Sequence, residues 1–501
     1  MPVFTSRDAI HRVLTEGFGQ RKVMVVGDLM LDRYLWGEVR RVSPEAPVPV
    51  VRLTRESQGC GGAANVALNL ARLGLRPVVA GIVGDDAEGR LLGDLLTEDG
   101  VATGALIVLP GWPTITKTRI IGGHQQMLRL DMEHPLPSGT PAPEQLLNAV
   151  AQQMVSADPP AALLLSDYAK GVLSPRVCAT LIERGRALGI PVLVDPKGSD
   201  YAKYRGATTL SPNRQELATA LGRPVDDLDT LLAEGEALRR RLELEFLTVT
   251  LSELGLALLD GGATPRRIPA MAREVFDVSG AGDTVIATLT AGLVAGLERL
   301  DALGVANLAA GVVVGKVGTT PITRDELRAA LDNRQAMEQS DKVASLEEVV
   351  GRVNAWRDRG ERTVFTNGCF DLLHAGHVTY LEKARHLGHR LVVGLNTDRS
   401  VRALKGSDRP LIREDDRARV LAALAAVDAV VLFDEETPLR LIRALRPEVL
   451  AKGADYTEDQ VVGGTEVKSW GGEVALVPLV AGRSTSRIVA DIQTHRQQAG
   501  D

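Results

Sequence analysis

The sequence predicts an α/β protein built from two consecutive doubly wound domains. In both halves of the chain, short apolar runs alternate with amphipathic stretches, the pattern of parallel strands joined by helices. Between about residues 326 and 346 this pattern gives way to a polar, helical one, which indicates a boundary. The chain has 501 residues, of which 45% are hydrophobic and 24% charged, so it is long enough for two or three domains with separate cores.

Composition and charge exclude several classes of protein. The formal net charge of −6 argues against a general nucleic-acid binder. The 3 cysteines lie far apart in no metal-binding spacing, which indicates a reducing compartment without disulfides or zinc. No apolar run approaches the roughly 18 residues of a membrane span, and the N-terminus lacks the apolar core of a signal peptide. We therefore expect a cytoplasmic protein with no nucleic-acid or membrane partner.

The first half of the chain contains a series of predicted parallel strands, each followed by a helical pattern. These apolar runs lie at residues 23–26, 78–83, 163–165, 192–194 and 247–251. Residues 34–39 and 48–53 differ, because they alternate like exposed strands around a Pro-rich turn. We expect them to form a small protruding sheet that serves as a lid over the site or as a dimer contact.

The second half repeats the strand–helix alternation with its own set of strands. Its apolar runs lie at residues 363–366, 391–395, 429–433, 449–451 and 474–477. Gly, Asp or Pro bounds each run, which favours a second doubly wound sheet. We predict a first domain over residues 1–335, a helical linker over 336–360 and a second domain over 361–501.

A glycine-rich turn opens a predicted helix late in the first domain. Gly280, Ala281 and Gly282 leave backbone amides at the helix start accessible to an anion, since the glycines have no Cβ. Asp283 follows in the same turn, where it could take a proton from a hydroxyl that attacks a phosphoryl group. The alternative is a glycine-rich turn with a capping aspartate.

This turn, Asp-Val-Ser-Gly-Ala-Gly-Asp, resembles the D-T-x-G-A-G-D signature of the ribokinase (PfkB) sugar kinases, with Val-Ser in place of Thr-x. A second stretch supports the resemblance, because a diglycine turn, Gly61-Gly62, leads into a helix that carries Asn65. The resemblance implies a ribokinase-like fold and sugar hydroxyls bound by Asn65, Asp28 and Asp32. Carboxylates and amides suit that task because they form several hydrogen bonds with vicinal hydroxyls.

A polar helix start between these two motifs matches the family's N-x-x-E element. It consists of Asn213, Arg214, Gln215 and Glu216. The resemblance implies ATP as the phosphoryl donor and Mg²⁺ organised by Glu216 mostly through water, and it leaves K⁺ open as a further cation. Taken alone, the element could be a solvated helix start. Lys197, after a predicted strand, could meet the triphosphate or be a surface lysine.

Four basic side chains could hold a second phosphate on the sugar. They are Lys117, Arg119, Arg129 and Lys170. Arginine binds phosphate in a bidentate way, and lysine supplies a point charge. Each of the four could equally be a solvated charge, and the sequence does not choose among them.

The second domain begins with an apolar strand, a glycine-containing turn and a helix. His374 and His377 are three residues apart at the helix start, so both can point the same way. Free N–H groups at a helix N-terminus suit a phosphate, and two imidazoles beside them could neutralise charge on a polyphosphate. For His-x-x-His alone, surface or metal-binding histidines are the alternative.

The context of the two histidines resembles the HxGH signature of the cytidylyltransferase-like nucleotidyltransferases, with Thr366, Gly368 and Phe370 ahead of His374 and His377. Such enzymes join a phosphorylated small molecule to a nucleotide and release pyrophosphate. The resemblance implies a Rossmann-like domain in which Asp371 binds metal or orients the turn. It also implies further phosphate-binding residues, namely Lys405, Lys452, Ser484, Thr485 and Ser486.

The order of the two units is similar to that in the two-domain enzymes of ADP-heptose synthesis for lipopolysaccharide. That likeness implies a kinase acting at C1 of D-glycero-β-D-manno-heptose 7-phosphate and an adenylyltransferase acting on heptose 1-phosphate, with a separate phosphatase between them. ATP is then the substrate of both units, and the protruding strands suggest a homodimer through the kinase domain. The alternatives are another sugar kinase fused to a transferase that uses CTP or a different sugar phosphate, and a nucleotide sensor without turnover.

Overall fold

The computed structural model describes residues 5–123, 125–137, 139–223, 227–262, 264–271, 277–316, 318–340, 342–454 and 456–478. Internal contacts divide the chain into two compact units, Met1–Leu331 and Asp332–Asp501. No helix within the described ranges has the length and apolar character needed to cross a membrane.

A six-stranded parallel sheet forms the centre of the first unit. Its strands are β1 (Lys22–Gly27), β4 (Arg76–Gly84), β5 (Ala102–Leu109), β8 (Ala162–Ser166), β9 (Val192–Asp195) and β10 (Thr209–Leu210). The strand order is β10-β9-β8-β1-β4-β5, and all neighbours pair in parallel. The order reverses between β1 and β8, so the carboxyl ends of these two strands flank the crevice where open α/β sheets bind ligands.

Helices cover both faces of this sheet. They are α1 (Arg7–Glu16), α2 (Ala63–Arg72), α3 (Ala87–Glu98), α4 (Ala142–Met154), α5 (Pro175–Leu188), α6 (Arg214–Ala220), α7 (Leu228–Arg241), α8 (Ala281–Val294), α9 (Arg299–Val313) and α10 (Arg324–Ser340). Val23 and Val25 of β1 pack into the core under α2, α8 and α9, whereas Met24 and Val26 pack into the core under α4, α5 and α7. The strand reads as a continuous apolar run because both of its faces are covered.

A four-stranded sheet stands apart from the central one, as the alternating runs predicted. It contains β2 (Leu29–Val42), β3 (Pro49–Gly62), β6 (Thr116–Gly122) and β7 (Gln125–Met132), in the order β3-β2-β6-β7. A third, antiparallel sheet contains β11 (Leu247–Thr250), β12 (Leu256–Leu259) and β13 (Arg266–Ile268). The run at residues 247–251 therefore forms an antiparallel strand and is not part of the parallel series.

The second unit has a five-stranded parallel sheet. Its strands are β14 (Thr363–Gly368), β15 (Arg390–Asn396), β16 (Ala429–Phe433), β17 (Val449–Gly453) and β18 (Glu473–Val477). The order is β16-β15-β14-β17-β18, so the strand order reverses beside β14 and the turn after β14 lies at the switch point. Both units thus confirm the predicted doubly wound α/β class.

The helices of the second unit lie on both faces of its sheet. They are α11 (Leu346–Asp358), α12 (Ala375–Arg385), α13 (Asp398–Lys405), α14 (Glu414–Ala423), α15 (Leu439–Leu445) and α16 (Gly464–Ser469). Short 3₁₀ helices complete the chain at Ala202–Tyr204, Ser252–Leu254 and Glu458–Gln460. Val349, Val353 and Trp356 of α11 are buried against β14 and β16, so most of the segment predicted as a linker packs on the second unit.

Two candidate active sites

The first site forms where β1 and β8 end. Gly27 and Ser166 are register partners at the last position of these strands. Asp28 follows β1, and Tyr168 lies two residues beyond β8. The N-terminus of α8 carries Asp283 in its first turn and lies next to Tyr168, beside the ends of β1 and β8.

Asp283 is the centre of this site and is only 3% exposed. Its Oδ2 accepts a hydrogen bond of 2.7 Å from the Asn65 side chain, and its Oδ1 accepts one of 2.8 Å from the Tyr168 hydroxyl. Burial raises the pKa of Asp283 to about 6, although the two hydrogen bonds act in the opposite direction. A carboxylate with this pKa is mostly ionised at neutral pH and can still bind a proton, as a general base must.

Gly280 allows the close approach between the α8 turn and α2. It is the N-cap of α8 with a left-handed φ of 77°, and a Cβ there would lie 2.9 Å from the Asn65 side-chain nitrogen. Ala281 and Gly282 are the first residues of α8. The predicted turn therefore leads into a helix N-terminus beside Asn65 and Asp283, where backbone amides can meet an anion.

Asp32 and the diglycine turn lie at the neighbouring end of β2 and β3. Asp32 is 3% exposed, and its Oδ1 lies 2.6 Å from an Arg119 guanidinium nitrogen. A Cβ at Gly61 would come within 2.6 Å of the other Asp32 oxygen. Gly62, with a φ of 59°, is the N-cap of α2. These residues, which the sequence singled out, are brought together with Asn65.

Asp28 has a structural role that the sequence did not suggest. Its carboxylate is fully buried and accepts backbone N–H hydrogen bonds from Tyr168 at 2.8 Å, Lys170 at 3.0 Å and Val172 at 3.1 Å. These three bonds use both oxygens, so Asp28 anchors the loop after β8. Tyr168, which this loop delivers to Asp283, was missed because no sequence motif connects the two residues.

The N-x-x-E element starts α6. Asn213 and Glu216 form a capping box in which each side chain accepts the other's backbone N–H at 2.9 Å. Arg214, half-buried, and Gln215, exposed, lie in the same turn. Lys197 Nζ lies 2.6 Å from Glu216 Oε1, so this lysine belongs to the element as well.

The charges near α6 fit a magnesium ion that arrives with a nucleotide. The pKa of Asp195 is raised well above its ordinary value, first by burial and then by the negative charges of Asp283 and Glu216. A divalent cation would relieve this repulsion. Within the described ranges, however, no three His, Cys, Asp or Glu residues are close enough to hold a metal directly. The residues therefore fit Mg²⁺ that retains water and is bound mainly through phosphates.

The structure separates the four basic candidates. Arg129 pairs with Asp131 at 2.9 Å, and Lys170 pairs with Glu133 at 2.6 Å. Lys117 lies over the Tyr168 ring, with Nζ 5.3 Å from its centroid, and is the register partner of Asp32. Burial lowers the pKa of Lys117, although Asp32 acts against this. Of the four basic candidates, Lys117 and Arg119, which pairs with Asp32, are therefore the two whose side chains lie near Asp283.

The second site lies in the turn after β14. His374 is the N-cap of α12, and its Nδ1 accepts the Gly376 N–H at 3.1 Å. The neutral His374 ring therefore carries its proton on Nε2. The rings of His374 and His377 stack with centroids 4.0 Å apart, and Phe370 meets His377 edge-on at 5.4 Å. The prediction that both histidines point the same way is consistent with this stacking.

His377 is neutral in this arrangement. Burial and the neighbouring His374 lower the pKa of His377 to about 4, and the Lys405 charge contributes. The side-chain Nδ1 of His377 and Oδ1 of Asn367 are buried without a hydrogen-bond partner. Such groups favour a ligand that supplies one. Lys452, at the end of β17, lies 3.3 Å from the Asn367 carbonyl and so borders the same turn.

Two residues of the HxGH context stabilise the turn itself. The Thr366 hydroxyl is fully buried and bonds the Tyr380 hydroxyl of α12 at 2.7 Å, so it links β14 to α12. A Cβ at Gly368 would lie 3.0 Å from the Phe370 ring, which explains the glycine. Ser484, Thr485 and Ser486 lie outside the described residues.

Asp371 orients the turn, one of the two roles expected for it. It accepts backbone N–H bonds from Leu411 at 2.6 Å and Ile412 at 3.2 Å, and it pairs with Arg409 at 2.6 Å. Burial alone would raise the pKa of Asp371, but these partners lower it below its ordinary value. Asp371 is thus a structural anion that holds the loop before α14 against the turn after β14.

Arg417 is a fully buried arginine that the sequence analysis did not identify. Its guanidinium donates to the carbonyls of Cys369 at 2.6 Å, Asn396 at 2.8 Å and Ile412 at 2.9 Å. It also pairs with Asp398 at 2.6 Å. One side chain thereby joins the carboxyl ends of β14 and β15 to the loop that Asp371 holds.

The substitution Arg417→Met is expected to lower the free energy of unfolding of the second unit by about 3–5 kcal/mol, because it leaves Asp398 and three carbonyls without their buried partner. Hydrogen exchange of β14 and β15 peptides across a urea series measures the change. Arg419→Met, an exposed arginine on the same helix, is the matched control. Equal stability of the two variants would contradict this role for Arg417.

Comparisons with known proteins cover both units. Residues 20–326 match the family model of the pfkB family carbohydrate kinases, and residues 365–497 match the cytidylyltransferase-like model. The bifunctional protein HldE of Magnetococcus marinus is 62% identical over 97% of this chain and 100% of its own. That of Methylobacillus flagellatus is 59% identical over 96% of this chain and 99% of its own.

Solved structures show the fold of the first unit. Phosphofructokinase-2 from Escherichia coli, in complex with substrates and products, covers 63% of this chain and 99% of its own, with a TM-score of 0.53 and 18% identity. A structure of the same enzyme in complex with potassium has a TM-score of 0.52 and 17% identity over 63% of this chain and 98% of its own. Arabidopsis thaliana ribokinase with ribose and ATP has a TM-score of 0.50 and 22% identity over 62% of this chain and 98% of its own.

Proposed function

The chain belongs to the family of bifunctional HldE proteins, and on that premise we propose that it catalyses two separate steps of ADP-heptose synthesis. The first unit phosphorylates C1 of D-glycero-β-D-manno-heptose 7-phosphate with ATP. A separate phosphatase removes the 7-phosphate, and the second unit then joins heptose 1-phosphate to AMP from ATP. The observation that best supports this proposal is that one chain contains both candidate active sites. The first has a buried Asp283 that accepts hydrogen bonds from Asn65 and Tyr168, and the second has the stacked pair of His374 and His377.

In the first unit, Asp283 takes the proton of the C1 hydroxyl as its oxygen attacks the γ-phosphorus. The amides at the Gly280–Gly282 turn face the transferring phosphoryl group, and Asn65 orients the carboxylate. Glu216 would hold a nucleotide-bound Mg²⁺ mostly through water, and the ion would neutralise charge on the phosphates. K⁺ is a second proposed cation, since a structural neighbour was solved with potassium.

In the second unit, a phosphate oxygen of heptose 1-phosphate attacks the α-phosphorus of ATP, and pyrophosphate leaves. The His374 Nε2–H and His377 donate to the leaving group, and Lys405 and Lys452 supply positive charge. The sequence motif assigns binding of the β- and γ-phosphates to Ser484, Thr485 and Ser486, which lie outside the described residues. No general base is needed, because the attacking phosphate is already ionised, whereas the hydroxyl in the first unit requires Asp283.

A direct test offers each substrate to the purified full chain. Heptose 7-phosphate with ATP is expected to give heptose 1,7-bisphosphate and ADP. Heptose 1-phosphate is expected to release pyrophosphate with ATP and not with CTP. Release with CTP alone would overturn the adenylyltransferase assignment, and nucleotide binding without any turnover would favour a sensor.

Lys117 is our candidate for the 7-phosphate, since it reaches the site and a bound phosphate would supply a counter-charge to its half-buried ammonium group. The substitution Lys117→Met is expected to raise the Michaelis constant for heptose 7-phosphate about tenfold or more, in line with a charge-assisted hydrogen bond. The constant for ATP should change little. Arg176→Met, which removes an exposed charge of α5 that pairs with Glu144, is the control. Equal changes for sugar and ATP would remove Lys117 from this role.

The protruding sheet supports a proposed homodimer of the kinase unit. Large apolar side chains are exposed on its strands, among them Leu53, Leu128 and Leu130, which are 50–56% exposed. A second copy that covers them would remove apolar surface from water.

A further inference from the structure

We propose that Tyr168 is a positioning residue of the kinase site, whose hydroxyl holds the Asp283 carboxylate in the orientation that receives the sugar proton. The inference deepens the proposed function and rests on the role of Asp283 as the base. Tyr168 belongs to none of the motifs that identify the two units. It touches the base and acts on the reaction only through it.

The two donors to Asp283 come from different elements and bind different oxygens. Asn65 on α2 donates to Oδ2 at 2.7 Å, and the Tyr168 hydroxyl donates to Oδ1 at 2.8 Å. Together they fix the rotation of the carboxylate plane. An ionised carboxylate has about four lone-pair sites, so two donors leave room for the substrate hydroxyl.

Tyr168 remains a donor throughout the range in which Asp283 titrates. Burial, followed by the negative charge of Asp283, raises the pKa of the Tyr168 phenol well above its ordinary value. The phenol therefore keeps its proton, and its hydrogen bond stabilises the anionic form of Asp283 relative to the protonated form. The hydrogen bond therefore keeps the Asp283 carboxylate in one orientation and keeps much of it ionised at neutral pH, although the group is buried.

The loop that carries Tyr168 is built to hold it. Asp28 accepts the backbone N–H groups of residues 168, 170 and 172, and Asp167 accepts that of Ala169 at 2.7 Å. Ala169 has a left-handed φ of 58°, a conformation that a non-glycine residue adopts only when its surroundings impose it. Lys117 covers the Tyr168 ring. The buried Asp28 thus acts on Asp283 through this loop.

Removing the hydroxyl should change the base in a defined direction. Asp283 faces Asn65, Tyr168, Asp32 and Lys117, and it interacts with the buried Asp195. Of these, Tyr168 and Asn65 donate hydrogen bonds that lower its pKa. Loss of the Tyr168 bond raises the pKa of Asp283, so the acidic limb of the kinase pH profile moves to higher pH.

The test compares Tyr168→Phe with the wild-type full chain in phosphorylation of heptose 7-phosphate from about pH 5 to 9, a range that spans the Asp283 pKa. We expect kcat to fall about tenfold or more, the acidic limb of kcat/KM to shift to higher pH, and KM for ATP to stay nearly constant. Tyr201→Phe is the matched control, since Tyr201 is a buried phenol whose hydroxyl has no hydrogen-bond partner among the described residues, and it is not among the groups that act on Asp283. It should leave the acidic limb in place.

A wild-type kcat and acidic limb in Tyr168→Phe, or an equal shift in Tyr201→Phe, would overturn the inference. Absence of sugar phosphorylation by the wild-type chain would instead overturn the proposed function. If Tyr168→Phe does not fold, 3,5-difluorotyrosine at position 168 decides the question. Its stronger hydrogen-bond donor should move the acidic limb to lower pH, and an unmoved limb counts against the proposal.

Discussion

Replacing Asp283 with Asn is expected to abolish phosphorylation of heptose 7-phosphate and to leave pyrophosphate release by the second unit unchanged. Asn cannot take a proton at neutral pH, and positioned bases contribute about 10²- to 10⁴-fold to such rates. The substitution keeps the size of the side chain beside Asn65 and Tyr168, which limits its effect on folding. Both activities are measured on one preparation, so the second unit serves as the internal control.

The wild-type pH profile gives an independent check of Asp283. The ionised form is the active base, and burial raises its pKa to about 6. Kinase kcat/KM should therefore be constant above this pKa and fall as the pH decreases through it. An acidic limb near the ordinary aspartate value, or unchanged kinase activity in Asp283→Asn, would contradict the assignment. Loss of both activities in the variant would show that the two sites are not independent.

The sequence predicted the groups that share a turn or a helix start more fully than those that meet across the fold. The Gly280–Asp283 turn, the Asn213–Glu216 capping box and the His374–His377 pair are local, so their spacing alone specifies their geometry. Tyr168 and Arg417 contact residues that lie far away in the sequence, and the spacing of apolar and polar residues along the chain does not predict such contacts.

Local patterns also did not show that some of the predicted site residues stabilise the protein structure around the sites. Asp28 follows a strand end where ligands collect, yet it is fully buried and bonded to three backbone amides. Thr366 stands in a signature, yet its hydroxyl bonds Tyr380. A sequence pattern identifies a polar group near a site, but only the tertiary structure shows whether that group faces the ligand or the loop that carries it. Asp28 stabilises the loop after β8, and Thr366 stabilises the packing of α12 on β14.

The substitution His377→Ala is expected to have the opposite effect to Asp283→Asn, with adenylylation reduced about 10²- to 10³-fold, as for the loss of one donor to a developing anion, and the kinase unchanged. The reason lies in the state of the ring. Because burial and His374 lower the pKa of His377 to about 4, the ring is neutral at pH 7 and acts as a directed donor. The second unit should accordingly show no acidic limb near the ordinary histidine pKa of about 6.5 that originates from His377.

His386→Ala separates this role from a general need for α12. His386 is exposed, and it is the C-cap of the same helix whose N-cap is His374. It should therefore retain full adenylylation. A normal rate in His377→Ala would remove the ring from the site, and an equal loss in His386→Ala would trace the effect to the helix. A loss confined to His377→Ala, with the kinase intact, would support departure of pyrophosphate beside the stacked histidines at the N-terminal end of α12.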